Sequence, residues 1–407
     1  MKKTIFLITL FIIFLVSLLI FIKYDNEKII SIYEFQAKCD GTSDDYEAIN
    51  KAINYSLSNE IDTIDFGNKT CVVNNTIHLY CNRNSKKIRI TGSATVKHNN
   101  IDFIQIEDGC EDVSIEGITS ISSYNPNNRD INNDQIIDEN DSIRHIRNSF
   151  DNHNLKLNIN NITLIGGVTG IFGNNLKRLQ VNNSTFKDMH FIPEYGRGGY
   201  GILLQGCKNV NITNSNFIAG KYFRHGIYVS VNDIYNVNNN VLINKCIFDY
   251  RNIEPVDFDK LKYPKDKIYD GIAKSNIWSP STSPIMVRRT NNITIANSLF
   301  LNTPNTSVFS AENGNITNIL LKNLELYPTS RDGEYNYGTY FSGRIKDNKI
   351  NKVNGIIDNL AIHTNDKEYK YAAFSHAKVI FENANTNLSI LDITPKTNII
   401  FGFKKDH

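Results

Sequence analysis

The chain has 407 residues, with 44 Lys and Arg against 42 Asp and Glu, and a formal net charge of +2. This near balance excludes the basic footprint expected of a protein that binds nucleic acid, and it also excludes a strongly acidic surface. The length would suit two or three average domains, unless the fold grows by stacking repeats.

The chain begins with a segment that predicts a membrane anchor. Two lysines precede an uncharged apolar run over residues 4–22, and a third lysine ends it. A helix of that length can cross a hydrocarbon core of about 30 Å, and no small-residue cleavage site follows it. We therefore expect residues 1–27 to be an uncleaved transmembrane signal-anchor with its N-terminus inside. The domain 28–407 is then membrane-anchored and extracytoplasmic (periplasmic or at the cell surface), or secreted if the segment is cleaved.

Residues 31–57 predict a cap at the entrance to the folded domain. An extended segment runs into a tight turn at Asp40 and Gly41, after which Asp44 and Asp45 open a helix. Acidic residues suit that position because the first N–H groups of a helix lack intrahelical partners and the helix dipole is positive there. One face of this helix is apolar and is expected to be buried; it consists of Ala48, Ile49, Ala52 and Ile53.

Five later segments align with one another and predict a solenoid. Each has a short apolar strand, an Asn-rich turn, an alternating strand and a closing Phe or Leu, and they begin at Gly170, Gly201, Gly226, Pro284 and Ser307. A rung of about 23 to 25 residues fits solenoid periodicity, and the longer offsets indicate insertions near 188–200 and 250–280. Because one rung cannot bury its inward side chains alone, stacked rungs build a continuous apolar column. The repeated Asn residues tolerate a left-handed backbone at the turns.

The entry segment also resembles that of a known family. Its order over residues 35–53, F-x-A-x-x-D-G-T-x-D-D-x-x-A-I-x-x-A-I, closely resembles the start of the pectate-lyase-like superfamily. The resemblance implies an all-β, right-handed parallel β-helix in which the short N-terminal helix caps the open end. That superfamily includes polysaccharide lyases, hydrolases, epimerases and phage tailspikes, so the resemblance selects a fold and not a reaction. The short C-terminal tail favours a monomer over a trimeric tailspike.

The six cysteines of an exported domain would face an oxidising space. No C-x-x-C pair is present, which argues against a zinc ribbon or a redox motif. Cys71 and Cys81 are one candidate disulfide pair, and several of the other cysteines are expected to be small buried residues in the rungs.

The richest polar segment for chemistry spans residues 221–230. Strand alternation points Ile227 and Val229 into the core and Tyr228 outwards, towards a lateral face walled by insertions. The same alternation places His225 on the inner side, unless the strand begins one residue later. An inward histidine would be a core residue, whereas an outward one would be a candidate catalytic group.

These residue types suit an acidic polysaccharide as substrate. In β-elimination a base removes the proton next to a uronate carboxylate, and Arg or Ca²⁺ stabilises the charge that builds on that carboxylate. An imidazole, with an unperturbed pKa of about 6.5, can act as the base near neutral pH. We assign His225 as the base, Tyr228 as the acid that protonates the departing oxygen, and Arg224 with Arg197 as carboxylate clamps. Lys221 is the substitute base if His225 faces the core.

Substrate-binding residues are expected in the loops and strands around this segment, namely Arg197, Glu194, Tyr200, Trp278 and Arg288. Trp278 is the only tryptophan of the chain and could stack on a sugar ring or simply anchor its loop. Arg288 follows a strand on the same face.

Other reactions remain open at this stage. A glycoside hydrolase needs two carboxylates about 5 to 9.5 Å apart, for which the candidates are Glu194, Asp188, Asp233 and Asp249. A uronate epimerase shares the proton-abstraction step with a lyase, and a non-catalytic glycan-binding β-helix is the alternative of another class. The favoured interpretation is an exported, membrane-anchored polysaccharide lyase.

Residues 125–150 predict an insertion that can hold a metal ion. Oxygen ligands fall at positions 1, 3, 5, 9 and 12 of a loop similar to those of EF-hand and dockerin modules: Asp130, Asn132, Asp134, Asp138 and Asp141. Gln135 replaces the glycine of the EF-hand turn, and the last ligand is Asp rather than Glu. Calcium is therefore a candidate structural cofactor, and the other interpretation is a polar insertion between rungs.

Overall fold

The computed structural model describes residues 28–401, except for 82–85, 125–141, 193–196, 221–222, 231–236, 253–282, 304, 312–314, 329–335, 343–344, 347–348, 351–352, 364–368, 376–378, 387–388 and 393–399. The predicted anchor and the predicted calcium loop therefore lie outside the described residues. Within the described part of the chain, no helix combines the length and the apolar character needed to span a bilayer.

The chain winds through three parallel faces, in the order face 1, face 2, face 3. Face 1 consists of Ile29–Ser31, Thr63–Asp65, Lys87–Thr91, Asp112–Glu116, Lys156–Asn160, Arg178–Asn182, Lys208–Thr213, Asn238–Asn244, Thr290–Ala296, Ile316–Pro328, Val353–Ile362, Val379–Thr386 and Ile400–Phe401. Face 2 consists of Asp40–Asp44, Thr70–Val73, Thr95–His98, Thr119–Ser122, Thr163–Ile165, Thr185–Lys187, Asn216–Ile218, Ile247–Asp249 and Leu299–Thr303, and it continues in the second half of Ile316–Pro328.

Face 3 carries the candidate site. It consists of Ile77–Leu79, Ile104–Ile106, Arg144–Asn148, Thr169–Asn174, Tyr200–Gln205, His225–Ser230, Ile285–Val287, Ser307–Ser310, Asn336–Ser342, Tyr369–Ser375 and Ser389–Asp392. Two short antiparallel pairs lie outside the three faces, Phe191–Ile192 with Arg197–Gly198 and Ile345–Lys346 with Lys349–Ile350. The expected parallel β-helix is confirmed.

The N-terminal cap is built as predicted, with one change in the role of an acid. A short 3₁₀ helix, Ile32–Phe35, precedes the helix α1, Tyr46–Ser58, and the four predicted apolar residues of α1 are buried. Asp44 accepts a hydrogen bond from the backbone N–H of Tyr46 at 3.1 Å. Asp45 makes no such capping bond, because its buried carboxylate accepts from three backbone N–H groups outside the helix, those of Lys38, Cys39 and Val72. It ties the cap to the first full turn.

The candidate disulfide Cys71–Cys81 is wrong. The structure has two disulfides, Cys39–Cys71 and Cys81–Cys110, whose partners are 32 and 29 residues apart. Those separations are about one turn of the β-helix, so the bonded cysteines stack on neighbouring turns, whereas Cys71 and Cys81 lie on the same turn. The remaining two cysteines, Cys207 and Cys246, are unpaired and buried, as expected.

The repeat alignment holds at its first four members and slips at the fifth. Ile171, Ile202, Ile227 and Ile285 are register partners in successive strands of face 3. Ser307, however, pairs with Ile285 and not with Pro284, one residue from the predicted alignment. No glycine marks the start of these last strands, so the sequence offers no anchor for the register there.

Asparagine ladders hold the turns between face 1 and face 2. Asn297, Asn323 and Asn359 have left-handed backbone angles, with φ of 48°, 49° and 65°. Each side-chain amide donates to the asparagine one turn earlier, at 2.8 Å from Asn297 to Asn244 and 3.0 to 3.1 Å in the next two steps. The repeated Asn residues therefore serve turn geometry, as predicted.

A column of stacked phenylalanine rings fills the core behind face 2. Successive ring centroids lie 4.9, 4.8 and 4.8 Å apart, and the planes are within 7° of parallel, along Phe186, Phe217, Phe248 and Phe300. Glycine is the second residue of three successive face 3 strands, at positions 170, 201 and 226. A Cβ atom at Gly201 would lie 2.7 Å from the ring of Phe217 and 2.6 Å from the carbonyl oxygen of Gly226. These strands therefore begin directly against the ring column.

Gly201→Ala should destabilise the β-helix by about 1 to 3 kcal/mol, because the new methyl group overpacks a ring held on both sides and a backbone carbonyl. The measurement is the free energy of unfolding from denaturant titration. The matched control is Gly173→Ala on the preceding strand, where the nearest atom, at 2.9 Å, is the end of the flexible Leu176 side chain. Equal stability of the two variants would contradict the tight contact at Gly201.

Candidate functional site

The corner between face 2 and face 3 receives the longest insertions. Residues 125–141 and 253–282 both lie between a face 2 strand and the following face 3 strand, as does the antiparallel pair Phe191–Ile192 with Arg197–Gly198. The first residues of the face 3 strands therefore border these insertions. The candidate site is built on that border.

His225 lies on the outer side of face 3, where strict alternation does not place it. A Cβ atom at Gly226 would lie 2.7 Å from the core ring of Phe248, and Ile227 is also buried in the core. Because both residues face inwards, the alternation breaks at the glycine and His225 is left on the outer side. Its ring stacks on Tyr200 with centroids 5.7 Å apart and lies 5.3 Å from the ring of Tyr228.

An aromatic and apolar layer surrounds this imidazole, separate from the main core. Tyr200, Tyr228, Met286 and Val308 form one buried cluster, and Leu203 packs against it. The predicted neighbours of Tyr228 are the observed ones, since it pairs in register with Leu203 and Met286. The layer is closed rather than open: His225 is 1% exposed and Tyr228 is 8% exposed.

Two guanidinium groups flank the layer. Nη1 of Arg224 donates to the hydroxyl oxygen of Tyr200 at 3.2 Å, and the guanidinium lies 5.1 Å from the ring centroid of Phe191. Arg288 lies over the ring of Tyr228, 5.6 Å from its centroid. The buried Nε of Arg288 has no hydrogen-bond partner among the described residues. Both cations are half-buried, so each keeps a solvent-facing part.

The surroundings fix the protonation states of the imidazole and the phenol. Nδ1 of His225 lies 2.7 Å from the carbonyl oxygen of Ser283, which can only accept, so Nδ1 carries the proton and Nε2 the lone pair. Burial, with the charges of Arg224 and Arg288, holds the pKa of His225 well below its ordinary 6.5. Burial raises the pKa of the Tyr228 phenol. At neutral pH the pair is therefore a neutral imidazole beside a protonated phenol.

The other predicted site residues are only partly placed. Lys221, Glu194 and Trp278 lie outside the described residues, as do the five calcium-loop residues, and for Arg197 the backbone alone is described. Of the carboxylates considered for a hydrolase, Asp233 is also outside. Asp188 and Asp249 lie at the ends of face 2 strands, and Asp249 pairs with Arg251 at 2.6 Å. The structure does not bring these two onto face 3.

The structure also reveals a charged group on face 3 that the sequence did not indicate. The buried carboxylate of Asp102 lies 2.5 Å from Nε of Arg147 and accepts from the backbone N–H of Arg144 at 2.7 Å. One turn earlier, Nδ1 of His78 lies 2.6 Å from a carboxylate oxygen of Glu107. These partners are 29 to 45 residues apart in the chain, and no repeat could be recognised around Arg144, so no sequence signal joined them.

Comparisons with known proteins do not assign the chain to a family. No family model matches the chain, and no curated protein matches it. Three similar solved structures are PfbA, a surface adhesin of Streptococcus pneumoniae (13% identity, 93% of both chains, TM-score 0.44), the A-module of mannuronan C-5 epimerase AlgE6 from Azotobacter vinelandii (12%, 92% of this chain and 98% of that one, 0.46) and a hyperthermoactive exopolygalacturonase from Thermotoga maritima (11%, 88% of both, 0.48). Agreement at this level carries no conclusion about activity.

Nitrogen NMR of the histidine rings should show His225 as a neutral imidazole protonated at Nδ1, because the Ser283 carbonyl requires a donor there. The ring should stay neutral as the pH falls through about 6.5, the ordinary histidine pKa, since burial and two guanidinium groups oppose a further charge. The resonances are assigned by comparison with His225→Gln. A protonation step near the ordinary pKa would contradict the buried outer position.

Proposed function

We propose that this chain is an exported protein that acts on a polysaccharide, and that its reaction is β-elimination on an acidic, uronate-containing glycan. The observation that carries the proposal is the convergence of His225, Tyr228 and Tyr200 with the guanidinium groups of Arg224 and Arg288 on the outer side of face 3. Elimination next to a carboxylate needs a base, an acid and cationic stabilisation of the carboxylate, and this cluster contains all three.

The proposed step assigns each proton and bond. The lone pair on Nε2 of His225 takes the proton from the carbon that bears the uronate carboxylate. The electrons of that C–H bond form a carbon–carbon double bond, and the bond from the neighbouring carbon to the glycosidic oxygen breaks. The phenol of Tyr228, held protonated by burial, delivers its proton to the departing oxygen. The products are an unsaturated uronate and a new hydroxyl end.

The guanidinium groups supply the stabilisation that this step needs. Charge builds on the uronate carboxylate as the proton leaves, and planar guanidinium donors match a carboxylate geometrically. Arg224 and Arg288 lie on two sides of the buried aromatic layer and remain partly exposed, so a carboxylate can reach them from solvent. Arg197, on the strand before Tyr200, is proposed as a further clamp.

A binding protein of the same fold is the second candidate function, and one observation favours it. His225 and Tyr228 are almost fully buried, which suits a structural aromatic layer as well as a reaction centre. In that case face 3 would hold a glycan without changing it. A uronate epimerase would share the proton abstraction at His225 but return a proton to the carbon instead of breaking the bond to oxygen.

We further propose that residues 1–27 anchor the protein in a membrane with the β-helix outside the cytoplasm, and that the chain is a monomer. The sequence pattern of 4–22 supports the anchor. Calcium in the loop from Asp130 to Asp141 is proposed as a structural ion, on the spacing of its oxygen ligands.

His225→Ala should lower the rate of elimination at least a hundredfold, since removal of a general base costs about 10²- to 10⁴-fold. The measurement is the ultraviolet absorbance of unsaturated uronate during incubation with a panel of uronate polysaccharides, with and without EDTA. Because the pKa of His225 is held well below 6.5, kcat/KM for wild type should stay constant from about pH 8 to about pH 6 and fall only at lower pH.

His363→Ala is the matched control, because His363 is an exposed histidine that follows the strand Val353–Ile362, beside the face 2 end of Ile316–Pro328. It stacks on Tyr327, far from His225 in the turn order. It should leave the rate unchanged. Elimination that survives in His225→Ala would remove the base assignment. New reducing ends without absorbance would replace the lyase with a hydrolase, and binding without either product would leave the glycan-binding protein.

A further inference from the structure

The N-terminal half of face 3 has an open outer surface, in contrast to the closed layer around His225. His78, Gln105, Arg147 and Phe172 are register partners on four successive strands and form one outward row. With strands about 4.8 Å apart, the row is about 14 Å long, the length of two to three sugar residues. The side chains of His78 and Arg147 are 36% and 34% exposed.

The floor of this surface consists of charged groups that contact one another. Arg147 is held by an ion pair from Nε to Asp102 and by a hydrogen bond from its Nη2 to Gln105. A second guanidinium, that of Arg144, lies 3.9 Å from the same carboxylate. Burial raises the pKa of Asp102 and the two guanidinium groups oppose this. The trio carries a charge of +1 with Asp102 ionised and +2 with it neutral, whereas Glu107 adds a negative charge beside His78 at the other end of the row. An anion is therefore attracted to the Arg147 end.

Exposed aromatic rings border the same row. Tyr80 is 62% exposed and stacks on His78, with centroids 5.7 Å apart and planes 13° apart. Phe150 is 49% exposed and meets the ring of Phe172 edge-on at 6.1 Å. Exposed rings beside hydrogen-bonding groups suit a sugar, whose ring has apolar C–H faces and a polar rim.

We propose that this surface, the N-terminal subsite, binds two to three residues of an acidic polysaccharide through stacking on Tyr80 and Phe150 and through a carboxylate on Arg147. The inference rests on the proposed function for the identity of the polymer. It extends that function to residues on the other half of face 3. The subsite is continuous with the candidate centre, because Phe172 pairs with Leu203 and Leu203 with Tyr228 on the next two strands.

One polymer can therefore occupy both halves of face 3. From Phe172 to Tyr228 the outward row covers two further strand spacings, about 10 Å. A chain lying along the row would place its uronates over Arg147 at one end and near Arg224 and Arg288 at the other. The open subsite would provide affinity, while the closed layer would act on the one sugar residue that reaches it.

The test measures binding of a uronate hexasaccharide and a uronate trisaccharide by calorimetry, with the full chain carrying His225→Ala so that no turnover interferes. Tyr80→Ala and Phe150→Ala should each weaken hexasaccharide binding about five- to tenfold. Arg147→Ala should weaken binding of the uronate hexasaccharide by a similar factor, and it should weaken binding of a neutral glucose hexasaccharide less. Arg147→Lys keeps the charge but loses the planar fork of the guanidinium, so its affinity for the uronate hexasaccharide should lie between those of the parent and of Arg147→Ala.

Matched controls come from face 2 and face 1, outside the face 3 row. Tyr327→Ala removes an exposed tyrosine (41%) that stacks on His363 at 4.4 Å as Tyr80 stacks on His78. Arg89→Ala removes an exposed arginine that pairs with Glu116 at 3.0 Å. Both controls should bind as the parent does. Unfolding midpoints of all variants identify any loss caused by misfolding, and Arg147→Lys serves if Arg147→Ala does not fold.

The outcomes separate this inference from the proposed function. Weakened binding in the Tyr80 and Phe150 variants supports the subsite, even if the wild type turns over no substrate and the lyase proposal fails. Suppose that elimination depends on His225 but hexasaccharide binding stays unchanged within twofold in Tyr80→Ala, Phe150→Ala and Arg147→Ala. That result would overturn the subsite and leave the lyase proposal intact. Equal weakening in the Tyr327 and Arg89 controls, or no binding of any uronate oligosaccharide, would also overturn it.

Discussion

The contact between the glycines of face 3 and the phenylalanine column of face 2 is the constraint on which the site depends. Three strands of face 3 begin so close to the rings of Phe186, Phe217 and Phe248 that no side chain fits at their second residue. Because that residue and the next both face inwards, the first residue of each strand is turned outwards. His225 and Tyr200 stack on the outer side for this reason, and the ring column that stabilises the core also sets the position of the candidate base.

The two halves of face 3 differ in solvent exposure and in electrostatics. Around His225 the surface is closed, and burial together with two nearby guanidinium groups favours the neutral imidazole. Around Arg147 the surface is open, and a buried carboxylate pairs with the guanidinium, whose side chain stays partly exposed. Low exposure strengthens interactions with a developing charge, while partial exposure allows a polymer to bind. The two halves therefore suit different tasks along one ligand.

The N-terminal end of the solenoid is held by covalent and polar links that act between turns. An uncapped β-helix would present unpaired strand edges and an open core at its end. Helix α1 covers that end with its apolar face. The Asp45 carboxylate accepts from the backbone N–H groups of Lys38 and Cys39 within the cap and of Val72 on the next turn, and Cys39–Cys71 and Cys81–Cys110 fix the first turns to each other. The first open strands of face 3, with His78 and Gln105, lie directly on this reinforced end.

The sequence by itself determined the elements whose signals are local or repeated. The acidic start and apolar face of α1 are encoded within one helix, and the aligned segments from Gly170 to Pro284 predicted the stacking of Tyr228 on Leu203 and Met286. Only the tertiary structure decided which cysteines meet, since partners one turn apart are about thirty residues apart in the chain. It also decided the side on which His225 lies, because the break in alternation at Gly226 comes from rings on another face. The Asp102–Arg147 pair is of the same kind: its residues belong to different turns, and only the stacking of those turns brings their charges together.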